Sequence, residues 1–86
     1  MLQRATLGGI PGVADLSSRS PSAFARAWRG TFVFRAEDER RIAQLTGDGP
    51  TVFETMIEGE RRRVPVKVLS FTTSGLAFFE GSGVPT

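Results

Sequence analysis

Residues 51–69 read TVFETMIEGERRRVPVKVL, and this stretch decides the fold. Bulky apolar or Thr side chains occupy every second position of residues 51–57, and valines do so in residues 64–68. This alternation predicts two β-strands. A loop of two or four residues around Gly59 turns both apolar faces toward one core, whereas a three-residue loop would place glutamates among the valines. The stretch therefore predicts an antiparallel hairpin.

The outer face of this hairpin is charged. The even loop aligns Glu54 and Glu58 with basic side chains of the second strand, and opposite charges paired across strands contribute ~0.2–1 kcal/mol each. Pro65 lies on the same outer face and has no N–H to donate to a neighbouring strand. The second strand is therefore expected to be an edge strand there, or to carry a bulge.

A short helix and two more strands are predicted around this hairpin. Ser20 and Pro21 suit a helix start, Phe24 and Trp28 lie on one helical face, and Gly30 is a typical stop. The composition of residues 31–34 and 76–79 is typical of strands. Residues 36–45 remain open between a short helix and a charged hairpin turning at an aspartate.

The two ends of the chain have a different composition. Residues 1–19 are rich in glycine and predict a flexible or partner-bound N-terminal arm, followed by one β-rich domain over 20–80 and a flexible tail over 81–86. The fold class is accordingly mainly β, with α+β as an alternative. We expect a small antiparallel meander or partly closed barrel from residue 31 to 80, plugged by the helix of residues 21–29.

The composition argues against catalysis. The chain of 86 residues has no Cys and no His, which removes thiolate chemistry, disulfides and the commonest metal ligands. Its dense carboxylate group, residues 37–39, lies beside two arginines, and no P-loop or GxGxxG motif is present. We therefore expect no enzyme activity, no metal site and no cofactor.

An arginine triplet is the most conspicuous local feature. Arg61, Arg62 and Arg63, followed by Lys67, are a candidate contact for nucleic acid or another anion. The alternatives are ion pairs with nearby glutamates and contact with a protein partner. Strand alternation sends Arg62 to the opposite face from its two neighbours, which interrupts a continuous basic stripe.

One short motif resembles a known family. Residues 70–76, SFTTSGL, resemble the D/N-x-S-x-x-G turn of PilZ domains, which bind a cyclic dinucleotide. Ser70 replaces the acidic or amide residue and Thr72 replaces the serine, and the upstream R-x-x-x-R of that family is not at its usual distance. The resemblance implies a cyclic-dinucleotide module as one alternative function.

The leading functional prediction is a non-enzymatic assembly or interaction module that binds a protein partner or copies of itself. Its acidic middle lies between basic flanks, which suits docking of opposite patches. In size and plan the chain is like small viral connector proteins. The predicted partner contacts are hydrophobic residues of the arm and the proline of the predicted edge strand: Leu7, Ile10, Val13, Leu16 and Pro65.

Other functions and the location are also predicted. A small basic regulator that binds nucleic acid through the arginine strand is the first alternative, and an enzyme inhibitor is another. No apolar run approaches the ~20 residues of a membrane span, and the N-terminus lacks the apolar stretch of a signal peptide. We therefore expect a protein of the cytoplasm or of a virus particle, without a membrane partner.

Overall fold

A computed structural model describes residues 2–16, 28–47, 49–57 and 59–81. These residues form six antiparallel strands and one helical segment: β1 (Leu2–Leu7), β2 (Ile10–Leu16), β3 (Trp28–Val33), a 3-10 turn (Ala36–Asp38) leading into α1 (Glu39–Gly47), β4 (Thr51–Ile57), β5 (Glu60–Phe71) and β6 (Leu76–Gly81). The predicted mainly β class is confirmed.

The strands close into a barrel in the order β1-β2-β3-β6-β5-β4. Strands β1 to β3 form one meander and β4 to β6 form a second, and the helical segment connects them. Pairing of β3 with β6 and of β1 with β4 joins the two meanders. The barrel is thus two three-stranded sheets joined along both edges.

The hairpin predicted over residues 51–69 is confirmed. Ile57 pairs with Glu60 across a two-residue loop, and Gly59 in that loop has a φ of 81°. Phe53 lies opposite Val64 on the buried face, as the even loop requires. The strand predicted over residues 76–79 is also present, within β6.

The N-terminal segment differs from the prediction of an arm. Residues 2–16 form β1 and β2, and Leu7 pairs with Ile10 across Gly8 and Gly9. These glycines have φ values of 58° and 83°, as a type I′ hairpin turn requires. The prediction of a flexible arm was therefore wrong for residues 2–16, because the Gly-Gly pair is a hairpin turn rather than a break in structure.

The helical segment resolves the ambiguity of residues 36–45. Residues 36–47 are helical rather than a charged hairpin, and α1 packs on β5. Ile42 is fully buried, and Leu45 packs against the core next to the glycine turn of β1 and β2. This helix covers the barrel, the role that the prediction gave to residues 21–29.

The predicted helix of residues 21–29 lies outside the described residues, apart from its last two. Trp28 and Arg29 begin strand β3, so the helical prediction was wrong for them, and Gly30 is within the strand rather than a helix stop. Trp28 is buried and contacts Phe79 edge to face, at 6.0 Å between ring centroids. The burial of Trp28 therefore follows the two-residue repeat of a strand, in which every second side chain faces the core.

Pro65 lies on strand β5, for which the sequence predicted either an edge position or a bulge. Strand β5 pairs with β4 on one side and with β6 on the other, so it is not an edge strand, but it does carry a bulge, between Val68 and Ser70. Pro65 itself pairs with Val52 of β4, and the described pairing of β5 with β6 begins one residue later, at Val66.

The last described strand extends one residue beyond the predicted domain. Gly81, assigned by the prediction to the tail, is the last residue of β6, and residues 82–86 lie outside the described residues. Within the described ranges, we find no helix with the length and hydropathy that crossing a bilayer demands.

Candidate functional site

A first row of side chains crosses the outer surface of the barrel. The strand register places Arg61 beside Met56, Arg4 beside Val13, Val13 beside Val33 and Val33 beside Leu76. Arg4 and Met56 lie one step beyond the Ala5–Thr55 pair, where the pairing of β1 with β4 ends. Because directly opposed residues of neighbouring strands have Cβ atoms about 4.5–5.5 Å apart, the row is continuous from Arg4 to Leu76, and Arg61 and Met56 continue it on the other side of that seam.

A second row lies one step along the strands. Leu2 is opposite Asp15, Asp15 opposite Thr31, and Thr31 opposite Phe78. The register between β5 and β6 shifts between Val68 and Ser70, so that Leu69 is the extra residue of a bulge. Leu69 and Phe78 line the same open hollow of about 460 Å³.

The two rows collect apolar side chains on the outside of the barrel. Seven large hydrophobic residues of the described chain are substantially exposed, and six of them belong to these rows. Met56 is 49% exposed and Phe78 is 36% exposed, whereas the seventh residue, Val52, lies elsewhere on β4. We call the six the apolar band: Leu2, Val33, Met56, Leu69, Leu76 and Phe78.

A cationic cleft lies at one end of the band. It is an open hollow of about 760 Å³ lined by residues of β1 to β5 and of the segment after β3, with Arg4, Arg35 and Arg61 among them. Val13, Val33 and Met56 contribute its apolar surface, and Glu54 is its one acidic residue among those described. The cleft therefore combines positive charge with apolar contact area.

The cleft lies over a seam between β1 and β4. The pairing of these strands ends at Ala5 and Thr55, and side chains replace the next main-chain hydrogen bonds. The hydroxyl of Thr55 donates to the main-chain oxygen of Arg4 at 2.9 Å, and the Gln3 amide donates to the main-chain oxygen of Met56 at 3.1 Å and to Thr55 Oγ1 at 2.7 Å. Thr55 is buried, so this network fixes the floor of the cleft.

The predicted arginine triplet is extensively paired. Arg61 Nε and Arg63 Nε lie 3.6 and 3.3 Å from the two oxygens of Glu54, and Arg62 binds Glu60. Pairing with glutamates, one of the three alternatives, is thus present in the structure. Arg61, Arg63 and Lys67 lie on the exposed outer face of β5, and Arg62 alternates with them as expected. Contact with nucleic acid stays a prediction.

The predicted partner contacts separate into core and surface. Leu7 and Ile10 are at most 1% exposed, so their assignment to a partner surface was wrong, because both face the inside of the barrel. Val13 lines the cationic cleft, and Leu16 is half-buried in the hollow near Phe78. Pro65 is exposed on β5 but lies beside Val52, outside the band.

The sequence analysis did not predict the band residues of β3 and β6, although their pattern is recognisable. The outward positions of β3 and β6 include Val33, Leu76 and Phe78, where an exposed strand face is normally polar. Leu76–Phe79 lacks the usual alternation, so that an aromatic residue falls on each face. Arg4 and Arg35 are far from the other cleft residues in sequence, and only the closed barrel brings them together.

The motif that resembles the PilZ turn connects β5 and β6. Thr72 Oγ1 is 2.8 Å from Ser74 Oγ, and the Gly75 carbonyl accepts a 2.9 Å hydrogen bond from the Phe34 amide. The turn therefore lies beside the end of β3, whereas the arginine triplet is at the other end of β5. The described residues contain no group of three or more acidic side chains placed to hold a metal ion.

Comparison with known proteins does not identify a relative. No protein-family model matches this chain, and neither a curated protein nor a solved structure matches it.

Proposed function

We propose that this chain is a non-enzymatic interaction module that binds a partner protein through the outer face of its barrel. The observation that carries the proposal is the clustering of six of the seven exposed large hydrophobic residues in the apolar band. Isolated exposed hydrophobic residues are ordinary on protein surfaces, whereas a contiguous set indicates a contact surface. Four members of the band form such a set: Val33 is opposite Leu76, and Phe78 lies two residues along from Leu76 and beside the bulge at Leu69.

The position of the band on the strands suits binding. Val33 and Phe78 project from strands that are paired on both sides at these residues, so that the backbone is already ordered there. A partner that docks on such a face loses less conformational entropy than one that must order a loop. Alternation along the strand places Phe78 on the outer face and its neighbour Phe79 in the core, which anchors this part of β6.

The absence of His and Cys from the sequence supports a non-catalytic function. The nucleic-acid alternative receives less support, because each arginine of the triplet lies in an ion pair with Glu54 or Glu60. A ligand with phosphate groups would have to compete with those carboxylates. The side chains of the apolar band, in contrast, are exposed.

The proposal is tested by selecting binders from a displayed random-peptide library and measuring their affinity for variants of the folded chain. We expect Val33→Lys and Phe78→Lys to weaken binding of the selected peptides at least tenfold, since both replace apolar contact area with a charge. Val52→Lys is the matched control, because Val52 is as exposed as Val33 but lies outside the band.

Two further measurements complete the test. Circular dichroism of the variants must show that the barrel remains folded. Sedimentation velocity of the chain alone detects self-association: a dimer that Val33→Lys dissociates would identify a second copy as the partner at this face. Selected peptides whose affinity falls with Val52→Lys but not with the two band variants would refute the proposal.

A further inference from the structure

We infer that the partner contributes an acidic segment with apolar residues, and that this segment binds in the cationic cleft at the end of the apolar band. The inference rests on the proposed function and adds the chemistry of the partner. It starts from the charges that line the cleft: the guanidinium groups of Arg4, Arg35 and Arg61 and the carboxylate of Glu54. Arg35 also lies 3.7 Å from Glu37, so the inference depends on Arg4 and Arg61.

The carboxylate of Glu54 is already shared between two cations. It lies 3.6 Å from Arg61 Nε and 3.3 Å from Arg63 Nε. Since the contact with Arg61 is made through Nε, the terminal nitrogens of that guanidinium remain for a ligand. A second carboxylate brought by a partner would therefore gain hydrogen bonds without displacing Glu54.

Among the three arginines of the cleft, Arg4 is the one whose charge no described carboxylate balances. It is exposed, lies beside Met56 and Val13 in the first row, and makes no ion pair within the described chain. Arg4 and Arg61 lie on the strands on either side of Met56, and all three residues line the cleft. Two acidic residues of one extended segment can therefore meet both arginines.

The surface between the arginines is apolar. Val13, Val33 and Met56 line the cleft together with Pro11. An acidic segment that also carries Leu, Val or Phe would bury these side chains while its carboxylates pair with the arginines. Both parts of the surface are then used, and the apolar contact supplies affinity that exposed ion pairs alone do not.

Other anionic partners fit the cleft less well. A flat bilayer surface cannot follow a recess, and the only aromatic residue among its described lining residues, Phe34, is buried and presents no ring for stacking a base. Single-stranded nucleic acid thus loses the contact that usually orders it. A peptide in which acidic and apolar residues alternate can contact both the arginines and the apolar surface of the cleft.

The test uses three fluorescein-labelled probes and fluorescence anisotropy. The first is a decapeptide in which three Leu or Phe residues alternate with Asp and Glu, the second carries Lys at every acidic position, and the third is a ten-nucleotide oligothymidylate. We expect saturable binding of the acidic peptide alone at low salt, weakened at least threefold when the salt concentration rises from 0.1 to 0.5 M.

Charge reversal locates the binding. The double variant Arg4→Glu/Arg61→Glu should weaken binding of the acidic peptide at least tenfold and favour the lysine peptide. Arg40→Glu is the matched control: Arg40 is exposed in the first turn of α1, where an acidic residue is tolerated, and it does not line the cleft. This control should change the affinity less than twofold.

The outcomes separate the two proposals. Absent binding of the acidic peptide, an equal effect of the control variant, or tighter binding of the oligothymidylate would overturn the inference. If Phe78→Lys, which lies outside the cleft, still weakens binding of the library peptides at least tenfold in that case, the interaction module stands and only the acidic chemistry of the partner fails. Thermal unfolding of each variant confirms that the comparison is made between folded proteins.

Discussion

At the scale of single residues, the interior of this barrel is built from aromatic rings packed on glycines. Trp28, Phe53 and Phe79 form one aromatic cluster, with the ring centroids of Phe53 and Phe79 4.7 Å apart. A Cβ atom added to Gly30 would lie 2.5 Å from the Phe79 ring, and one added to Gly81 equally close to the Trp28 ring. A six-stranded barrel is narrow, so these strand positions have no room for a side chain.

We therefore predict that Gly30→Ala lowers the free energy of unfolding by about 1–3 kcal/mol, since the added methyl group overpacks the core. The measurement is urea unfolding followed by tryptophan fluorescence. Gly47→Ala is the control, because its Cβ would meet nothing within 4 Å and alanine favours the helix. Equal stability of Gly30→Ala and the parent chain would show that the aromatic cluster is loosely packed.

At the scale of secondary structure elements, the sequence predicted those strands whose side chains alternate. The hairpin of β4 and β5 follows from the alternation of residues 51–69, because a shift of one residue would bury glutamates. Strand β2 has weaker alternation, since Pro11 and Gly12 interrupt it. The Gly-Gly pair between β1 and β2 is nevertheless a signal for a hairpin turn. It was read as part of a flexible arm because Pro11 and Gly12 follow it closely.

The short helix predicted before β3 shows a different limit. The positions of Phe24 and Trp28 suit one face of a helix, but the burial of Trp28 follows a strand, in which Gly30 and Phe32 face the same way. Short apolar runs satisfy both periods, and the pairing of β3 with β2 and β6 decides between them. No local pattern contains that information.

The turn between β1 and β2 gives a prediction at this scale. Gly9→Ala should destabilise the protein by about 1–2 kcal/mol, because Gly9 has a φ of 83° and an alanine is strained there, although no atom obstructs its Cβ. Gly9→Asn should cost less, since asparagine tolerates a positive φ. Thermal or urea unfolding measures both. A glycine in a flexible arm would give no change for either substitution.

At the scale of the whole molecule, closure of the barrel decides which side chains form the candidate site. Pairing of β1 with β4 and of β3 with β6 brings Arg4, Arg35 and Arg61 around one cleft and aligns the apolar band across the strands. The acidic middle and the basic flanks of the sequence do not form separate charged surfaces, because Asp38, Glu54 and Glu60 each form an ion pair with an arginine. The site is therefore a property of the topology.

The most direct test of the interaction surface is hydroxyl-radical footprinting of the folded chain, with and without the tightest peptide from the library selection. Met56 and Phe78 are exposed members of the band and react readily with hydroxyl radicals. We predict that the bound peptide lowers oxidation of both residues severalfold and leaves Val52 and Pro65 unchanged. Protection of Val52 and Pro65, with Met56 and Phe78 oxidised as in the free protein, would contradict the account.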